Sequence, residues 1–382
     1  MDTRVVSAIG AALAITAMCS CAAAASPGAN APTSSAPVSQ SAPESAAAAV
    51  TSASPVADQA KPISNRALAA SVFFGCADSR NTEAQRTMAK AGVAGIVLLG
   101  SNPPSDLKQR LQSVQRAAPA GTNPIIASDE EGGTVQRLAP LIYRLPSAET
   151  MGTWSASKLR GTSRAYGKRM ADLGVRMSLA PIADLRVSGS YMDQLNRAFS
   201  SNPTDVGDDV ISWSRGLSDA GVAATVKHWP GHGHAADTHQ FAAQVPSLAK
   251  LTRADLVPFN MALNAGVPAV MVAHVQSKGL TGAGVPATQS PKAIKFLRSQ
   301  VDPETVVVTD SLSMAAAASA RGLSEPKAVI ESLKAGVDWA MSCTYSPIQI
   351  VKAVAKAIKN GTLDRETLEA SAARIAALKA KF

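Results

Sequence analysis

Residues 124–129 read PIIASD, a short apolar run that ends in a carboxylate. Because its apolar residues are continuous rather than alternating, the run is typical of a parallel strand buried on both faces. Similar runs lie at 71–75, 95–100, 177–184, 223–228, 269–275, 305–310 and 338–343. Helix-like stretches rich in Ala, Lys and Arg separate several of them. Eight β/α units in about 320 residues predict an α/β fold, a single (β/α)8 TIM barrel, and the strand count favours it over an open doubly wound sheet.

Ionisable side chains stand at the predicted carboxyl ends of five consecutive strands. These residues are Asp129, Asp184, Lys227, His228, His274 and Asp310. A single charged residue at a strand end is often only the cap of the next helix. Five such ends in a row are hard to explain as caps, and in a (β/α)8 barrel this rim is where active sites are built. The sequence therefore predicts an active site there.

The first 62 residues differ in composition from the rest of the chain. The uncharged run VVSAIGAALAITAM at 5–18 has the length of a signal-peptide core, and the sequence before Cys21 resembles a bacterial lipoprotein cleavage site. We expect residues 1–21 to be a lipoprotein-type signal peptide that leaves a lipidated Cys21. Residues 22–62, dominated by Ala, Ser and Pro, are predicted to be a disordered tether. Residues 63–382 form the predicted barrel domain.

This organisation predicts a protein of the cell envelope, exported and lipid-anchored to the outer face of the cytoplasmic membrane. The alternative is a secreted protein whose plain signal is cut in the AAAAS that follows Cys21. The chain has 37 basic and 28 acidic residues. Residues 1–60 contain one of the basic and three of the acidic residues, so residues 61–382 carry a formal charge of +11. Such a charge favours anionic partners such as a cell-wall polymer, whereas no basic run interleaved with aromatics indicates nucleic-acid binding.

Four of the five histidines fall within residues 227–239, KHWPGHGHAADTH. One interpretation is a metal-dependent barrel amidohydrolase that uses His232 and His234 as an HxH ligand pair. Such enzymes carry that pair on the first strand, whereas here it lies in a loop after the fifth, so the metal interpretation is weak. The other interpretation is a glycosidase, in which a histidine of this segment transfers a proton.

Four segments carry a resemblance to glycoside hydrolase family 3, in its single-domain β-N-acetylglucosaminidase branch (NagZ type). ASDEEGGTVQR at 127–137 resembles the family's DxEGGxVxR, LNRAFSSNP at 195–203 its NRxF, KHWPGHGHAADTH at 227–239 its KH(F)PGHG…DxH, and VVVTDSLSM at 306–314 its (S/T)DxLxM. The motifs occur in the family's order. Departures from the usual pattern are Thr134, Trp229 and His234, and none removes a residue that the chemistry needs.

The resemblance implies catalytic roles for three residues. Asp310 corresponds to the nucleophile that forms a covalent glycosyl-enzyme, so the stereochemical outcome is expected to be retention. His239 corresponds to the proton donor, and Asp237 is expected to fix its tautomer. The resemblance also implies a set of residues that bind the hydroxyl groups of the sugar. They are Asp129, Arg137, Arg197, Lys227 and His228.

The predicted enzyme is a retaining exo-β-N-acetylglucosaminidase that removes terminal β-linked GlcNAc from peptidoglycan fragments. A GlcNAc phosphorylase on the same scaffold is an alternative, because a histidine that has lost its proton is neutral and repels phosphate less than a carboxylate. A non-catalytic sugar-binding barrel is a third. We expect a monomer with no metal or cofactor, whose partners are peptidoglycan-derived saccharides or muropeptides and whose contact with the membrane is made by the lipid anchor only.

The two cysteines of the barrel domain, Cys76 and Cys343, lie at the ends of the first and last predicted strands. Closing a barrel makes these strands neighbours. Two alternatives stay open: a disulfide bond, which an exported protein can form, or a pair of buried thiols that pack as small apolar side chains.

Overall fold

A computed structural model describes residues 63–343 and 346–382 of the chain. The predictions of a signal peptide with lipidated Cys21 (1–21) and of a tether (22–62) lie outside the described residues. Within the described ranges, no helix combines the length and the apolar character needed to cross a bilayer.

The strands and helices follow one another in the alternating order that the sequence predicts. The strands are β1 Phe73–Asp78, β2 Gly95–Leu99, β3 Ile125–Ser128, β4 Glu130–Gly132, β5 Val135–Gln136, β6 Met177–Ser178, β7 Ala223–Trp229, β8 Ala243–Val245, β9 Ala269–Val272, β10 Val275–Ser277, β11 Val306–Thr309 and β12 Ala340–Ser342. The α-helices are α1 Asn65–Ser71, α2 Thr82–Lys90, α3 Leu107–Ala117, α4 Ala148–Met151, α5 Ala156–Leu173, α6 Tyr191–Gln194, α7 Pro203–Asp219, α8 Leu248–Leu251, α9 Leu256–Asn264, α10 Pro291–Arg298, α11 Glu325–Ala335, α12 Pro347–Lys359 and α13 Arg365–Lys381.

Eight of these strands form one parallel sheet in the order β11-β9-β7-β6-β3-β2-β1-β12. This is the order of the chain, with the last barrel strand placed beside the first. The remaining gap between β11 and β12 is bridged by a parallel contact of Val308 with Trp339 and by a 3.1 Å hydrogen bond from the Thr309 amide to the Trp339 carbonyl. The sheet is therefore a nearly closed barrel, as a (β/α)8 fold requires, and not an open doubly wound sheet.

Buried apolar side chains explain why these segments form strands. The central strands are covered by the barrel interior on one face and by helices on the other, and every residue of β3, β9 and β11 is buried. Phe74 of β1 and Trp339 beside β12 stack with their ring centroids 4.1 Å apart, which joins the two ends of the sheet. The polar helix faces lie outside.

The predicted strand at 177–184 is much shorter in the structure. Only Met177–Ser178 pair as β6, because Pro181 has no N–H to donate to a strand ladder. Ile182 makes an isolated parallel bridge with Lys227. Backbone hydrogen bonds still hold the following residues beside β7, because the Ala180 carbonyl accepts from the Thr225 amide at 3.0 Å and the Ala183 amide donates to the Lys227 carbonyl at 2.6 Å.

The Sγ atoms of Cys76 and Cys343 form a disulfide bond in this structure, with the two Cα atoms 4.7 Å apart. The bridge follows from the topology, since β1 and β12 are parallel neighbours with Phe73 opposite Ala340. It joins the first and last barrel strands near their carboxyl ends.

Candidate active site

The predicted rim residues gather at the carboxyl ends of the barrel strands. Asp129 and Asp310 directly follow β3 and β11, whereas Lys227 and His228 belong to the end of β7. The pairing of β7 with β9 is irregular at that point, because the register shifts between Val226 and Trp229. Irregular strand ends of this kind re-aim side chains, and here they are buried at the rim.

One group of charges connects the sugar-binding residues that the resemblance implies. The Lys227 ammonium lies 2.6 Å from a carboxylate oxygen of Asp129 and 2.6 Å from one of Glu131. The Arg197 guanidinium donates two hydrogen bonds, of 2.7 and 2.9 Å, to Glu131. Two cations thus face two carboxylates, so the formal charges balance although Lys227 and Glu131 are almost fully buried.

The electrostatics keep these groups ionised. Burial by itself would raise the pKa of Glu131, but the adjacent Arg197 and Lys227 outweigh it and hold that pKa well below its usual range. Burial would likewise lower the pKa of Lys227, but Asp129 and Glu131 raise it. Glu131 was not assigned a site role from the sequence, although it is the Glu of the quoted DxEGGxVxR pattern.

Asp184 orients His228. Its fully buried carboxylate lies 2.7 Å from His228 Nδ1 and accepts a 2.6 Å hydrogen bond from the His232 amide. Burial opposes the ionisation of Asp184, yet His228 and His232 outweigh burial and lower the pKa of Asp184. The sequence placed Asp184 at the rim, but only the structure shows that it holds the ring of His228.

Asp310 is a partly exposed carboxylate beside these groups. Its Oδ1 accepts a 2.7 Å hydrogen bond from the Ser311 amide. Burial opposes ionisation, but the neighbouring His228 and His274 outweigh it and lower the pKa of Asp310 to about 2. Asp310 is therefore ionised at neutral pH, and Oδ2 has no hydrogen-bond partner within residues 63–343 and 346–382.

Asp237 and His239 form a pair in the loop between β7 and β8. His239 Nδ1 lies 2.7 Å from Asp237 Oδ1, which also accepts a 3.0 Å hydrogen bond from the His239 amide. The His239 side chain is 65% exposed. Two backbone hydrogen bonds attach this loop to the segment after Asp310: Ala315 N donates to the His239 carbonyl at 3.3 Å, and Ala316 N to the Thr238 carbonyl at 3.4 Å. The pair is thus held on the Asp310 side of the rim.

Comparison with known proteins identifies the family. The model described as the glycosyl hydrolase family 3 N terminal domain matches residues 65–378. The chain belongs to glycosyl hydrolase family 3. The match confirms the family that the four sequence motifs predict, and it makes the protein a glycoside hydrolase.

Similar proteins of family 3 are named as hexosaminidases. Beta-hexosaminidase LpqI of Mycobacterium tuberculosis (strain ATCC 25618 / H37Rv) is 34% identical over 273 residues, which cover 68% of this chain and 70% of that protein. A beta-hexosaminidase of Stenotrophomonas maltophilia (strain K279a) is 35% identical over 284 residues, covering 71% and 83%. A crystal structure of a family 3 glycosyl hydrolase from Mycobacterium smegmatis superposes with a TM-score of 0.76 at 33% identity, covering 83% of this chain and 97% of that one.

The remaining predicted residue of this family 3 site, Arg137, follows the β4–β5 hairpin. Its amide donates a 3.3 Å hydrogen bond to the Asp129 carbonyl, which ties the two residues together. The Nε atom of Arg137 is buried and has no hydrogen-bond partner among the described residues. Arg137 therefore has a donor available at the rim.

The two histidines of the HxH sequence have separate partners in this family 3 hydrolase. His232 is buried and its Nε2 lies 3.1 Å from the Thr238 hydroxyl, whereas His234 Nε2 lies 3.5 Å from Asp255. Burial lowers the pKa of His232 to about 4. Within residues 63–343 and 346–382, no three His, Cys, Asp or Glu side chains are grouped as metal ligands. The contacts give the amidohydrolase alternative no support.

Proposed function

We propose that this family 3 hydrolase is a retaining exo-β-N-acetylglucosaminidase of the NagZ type, which removes terminal β-linked GlcNAc from peptidoglycan fragments. The observation that carries the proposal is the Asp237–His239 pair, attached by backbone hydrogen bonds to the segment that follows Asp310. A protonatable imidazole and an ionised carboxylate on one rim are the two groups that glycoside cleavage needs. The names of the two hexosaminidase relatives support an N-acetylhexosamine as the sugar.

The proposed first step forms a covalent intermediate. Asp310 Oδ2 attacks the anomeric carbon while the bond from that carbon to the leaving oxygen breaks, and His239 Nε2 gives its proton to that oxygen. Asp237 accepts a hydrogen bond from Nδ1–H of His239, so once Nε2 has given up its proton the neutral ring keeps the other proton on Nδ1 and Nε2 can act as the base. In the second step neutral His239 takes a proton from water, and the hydroxide displaces Asp310. Two inversions at one carbon give net retention.

The same proposal assigns sugar binding to the buried charges of the rim. Sugar hydroxyls can form hydrogen bonds with Asp129, Lys227 and Arg197 while these side chains keep their ion pairs. His228 is fixed through Nδ1 by Asp184, which leaves Nε2 to face the ligand. Arg137 supplies the unused Nε donor. A site built on such pre-oriented groups loses little entropy on binding.

For the cellular setting, we infer a monomeric enzyme that is exported and lipid-anchored through Cys21 to the outer face of the cytoplasmic membrane. The inference rests on the lipoprotein-like residues 1–21 and on the Ala/Ser/Pro-rich residues 22–62. The formal charge of +11 beyond residue 60 suits muropeptides, whose lactyl and peptide carboxylates are anionic.

The test uses the protein produced from residue 22 onward. It is incubated with aryl β-GlcNAc, aryl β-glucoside and GlcNAc-anhydroMurNAc, with and without EDTA. We expect cleavage of both GlcNAc substrates, unaffected by EDTA and with GlcNAc as the product. Activity on the glucoside alone would overturn the assignment, and GlcNAc-1-phosphate as the main product in phosphate buffer would identify a phosphorylase.

A further inference from the structure

His274 is a buried rim histidine that the proposed mechanism does not use. It lies just beyond the end of β9, and its side chain has almost no exposed surface. Both ring nitrogens have partners: Nε2 lies 2.8 Å from the carbonyl oxygen of Ser311, and Nδ1 lies 2.9 Å from the hydroxyl of Thr288. Ser311 directly follows Asp310 in the chain. The ring therefore connects the end of β9 to the segment of the proposed nucleophile.

The two partners determine where the ring of His274 carries its hydrogen. A carbonyl oxygen can only accept, so Nε2 must be protonated and must donate to Ser311. Burial lowers the pKa of His274 although the nearby Asp310 acts to raise it, so the ring is neutral at neutral pH. Nδ1 is then the bare nitrogen, and the Thr288 hydroxyl donates to it. Each hydrogen bond thus has one direction.

Ser311 is held from two sides of the barrel. Its amide donates to Asp310 Oδ1 at 2.7 Å, and its carbonyl also accepts from the Met314 amide at 3.0 Å, which closes a local turn. The Cys343 amide donates to the Ser311 hydroxyl at 3.2 Å and attaches this turn on the side of β12. His274 attaches it on the side of β9. Without His274 the turn can still close, but its attachment to β9 is weakened.

The partner of Nδ1 comes from a rigid element. Thr288 is the central residue of a short 3-10 turn, Ala287–Gln289, and is fully buried. Its neighbour Gln289 donates from Nε2 to the Ala317 carbonyl at 2.9 Å. The same turn therefore contacts the segment after Asp310 directly, and a second time through the ring of His274. A ring that is hydrogen-bonded at both nitrogens is restricted to one orientation.

We propose that His274 is a positioning residue which, through Ser311, aims the carboxylate of Asp310 at the anomeric carbon. Its side chain is buried beneath the rim and acts without contact with the sugar. The inference rests on the proposed function, because it takes Asp310 as the nucleophile. Loss of His274 should therefore slow nucleophilic attack and leave sugar binding unchanged.

The test measures kcat/KM of His274→Leu for dinitrophenyl β-GlcNAc and for GlcNAc-anhydroMurNAc. Both substrates need the nucleophile, whereas only the second needs a proton on the leaving oxygen. A reacting group that is displaced by about 1 Å can cost about 10²-fold in rate, so we expect losses of about 10- to 10²-fold, equal for the two substrates. The inhibition constant of free GlcNAc should not change. A loss confined to the disaccharide, or a weaker inhibition constant that accounts for the whole loss, would overturn the inference.

Three further variants separate positioning from stability. His274→Gln places an amide nitrogen where Nε2 was and should restore most of the activity, because it can still donate to Ser311. Thr288→Val removes the donor to Nδ1 and should cost about fivefold, the worth of one ordinary hydrogen bond; it also serves as the second test if His274→Leu does not fold. Gln85→Leu is the matched control. Gln85 is a buried side chain of α2 that donates to the Asp78 carbonyl at the end of β1, at 2.9 Å. It should lower Tm and leave both values of kcat/KM at the wild-type level. Equal losses of activity in His274→Leu and Gln85→Leu would show that His274 is only structural.

Nitrogen NMR of protein labelled with [15N]histidine tests the arrangement without any substrate. The signals that disappear in His274→Gln identify the ring, and we expect a protonated Nε2 and a bare Nδ1 at pH 7.5. The opposite tautomer would refute the inference whatever the enzyme cleaves. A wild type that cleaves dinitrophenyl β-glucoside and no β-GlcNAc substrate would refute the proposed function only. The same variants would then be compared on the glucoside, and undiminished turnover in His274→Leu would still overturn the role of His274.

Discussion

Replacing His239 by Ala should separate substrates according to their leaving groups. The alcohols of natural GlcNAc-MurNAc linkages leave poorly and need a proton, whereas dinitrophenolate leaves without one. Loss of the acid should therefore reduce kcat/KM for the natural disaccharide by about 10²–10⁴-fold, the usual contribution of general acid catalysis, or about 2.7–5.5 kcal/mol. Formation of the glycosyl-enzyme from the dinitrophenyl glycoside should be nearly unaffected, although its kcat falls because deglycosylation still needs a base.

Replacing Asp237 by Ala should reduce kcat/KM less than replacing His239 does. The hydrogen bond to His239 is short, at 2.7 Å, but the two side chains are 65% and 21% exposed. Pairs this accessible to water are typically worth about 0.2–1 kcal/mol, which corresponds to about 1.5- to 5-fold in rate. Asp237→Ala should show the leaving-group contrast of His239→Ala at that reduced size.

The assay compares kcat/KM for GlcNAc-MurNAc and for dinitrophenyl β-GlcNAc in the wild type and each variant. His234→Ala is the matched control, because His234 is an exposed histidine of the same loop whose contact, Asp255, lies 3.5 Å away. It should stay within about twofold of the wild type, because His234 takes no part in the Asp237–His239 pair and its only ion-pair contact in the described residues, with the buried Asp255, is long. Equal losses by His239→Ala on both substrates would show that His239 is not the acid.

Three further outcomes are expected. Asp310→Ala should lose nearly all turnover on every substrate. Because the pKa of Asp310 is lowered to about 2, its carboxylate stays ionised as pH falls to about 3, and the pH-rate profile of the wild type should show no loss of activity from protonation of Asp310 above that pH. Replacing Cys76 and Cys343 by Ser opens a loop with a sequence separation of 267. By chain entropy the disulfide contributes up to about 5.6 kcal/mol to the free energy of unfolding, so calorimetry should show a Tm lower by up to about 8 °C. Lys227→Met leaves Asp129 and Glu131 facing each other with fewer cations, so chemical denaturation should show a loss of about 3–5 kcal/mol, and an unchanged midpoint would contradict the buried pairing.

The barrel could be predicted from the sequence because its strands are local patterns: eight continuous apolar runs, several ending in an ionisable residue. Residue types within short motifs likewise sufficed to place Asp129, Lys227 and Asp310 at one rim. Partners distant in the chain could not be predicted in this way. The contact of Asp184 with His228 spans 44 residues. Nothing in the local sequence indicates it.

The early end of β6 shows a second limit. The predicted strand runs to residue 184, and apolar character alone does not report that regular pairing ends at Ser178, before Pro181, which has no N–H to donate. A third limit is the environment of the buried Glu130. Its carboxylate accepts a hydrogen bond from the hydroxyl of Tyr166, which lies on α5, 36 residues later in the chain. Sequence identifies Glu130 as one of three adjacent acids. Only the packing distinguishes the one without a cation.

The bond between Cys76 and Cys343 also determines how the molecule responds to tension. A force that pulls the two ends of the chain apart can unravel α1 and the start of β1, and α12 and α13 from the other end, before it reaches the two sulfur atoms. The force then passes directly through the covalent bridge, so the 267-residue interval between the cysteines carries no tension. That interval, fully drawn out, would measure on the order of 900 Å. Asp129, His239 and Asp310 all lie within this unstretched loop.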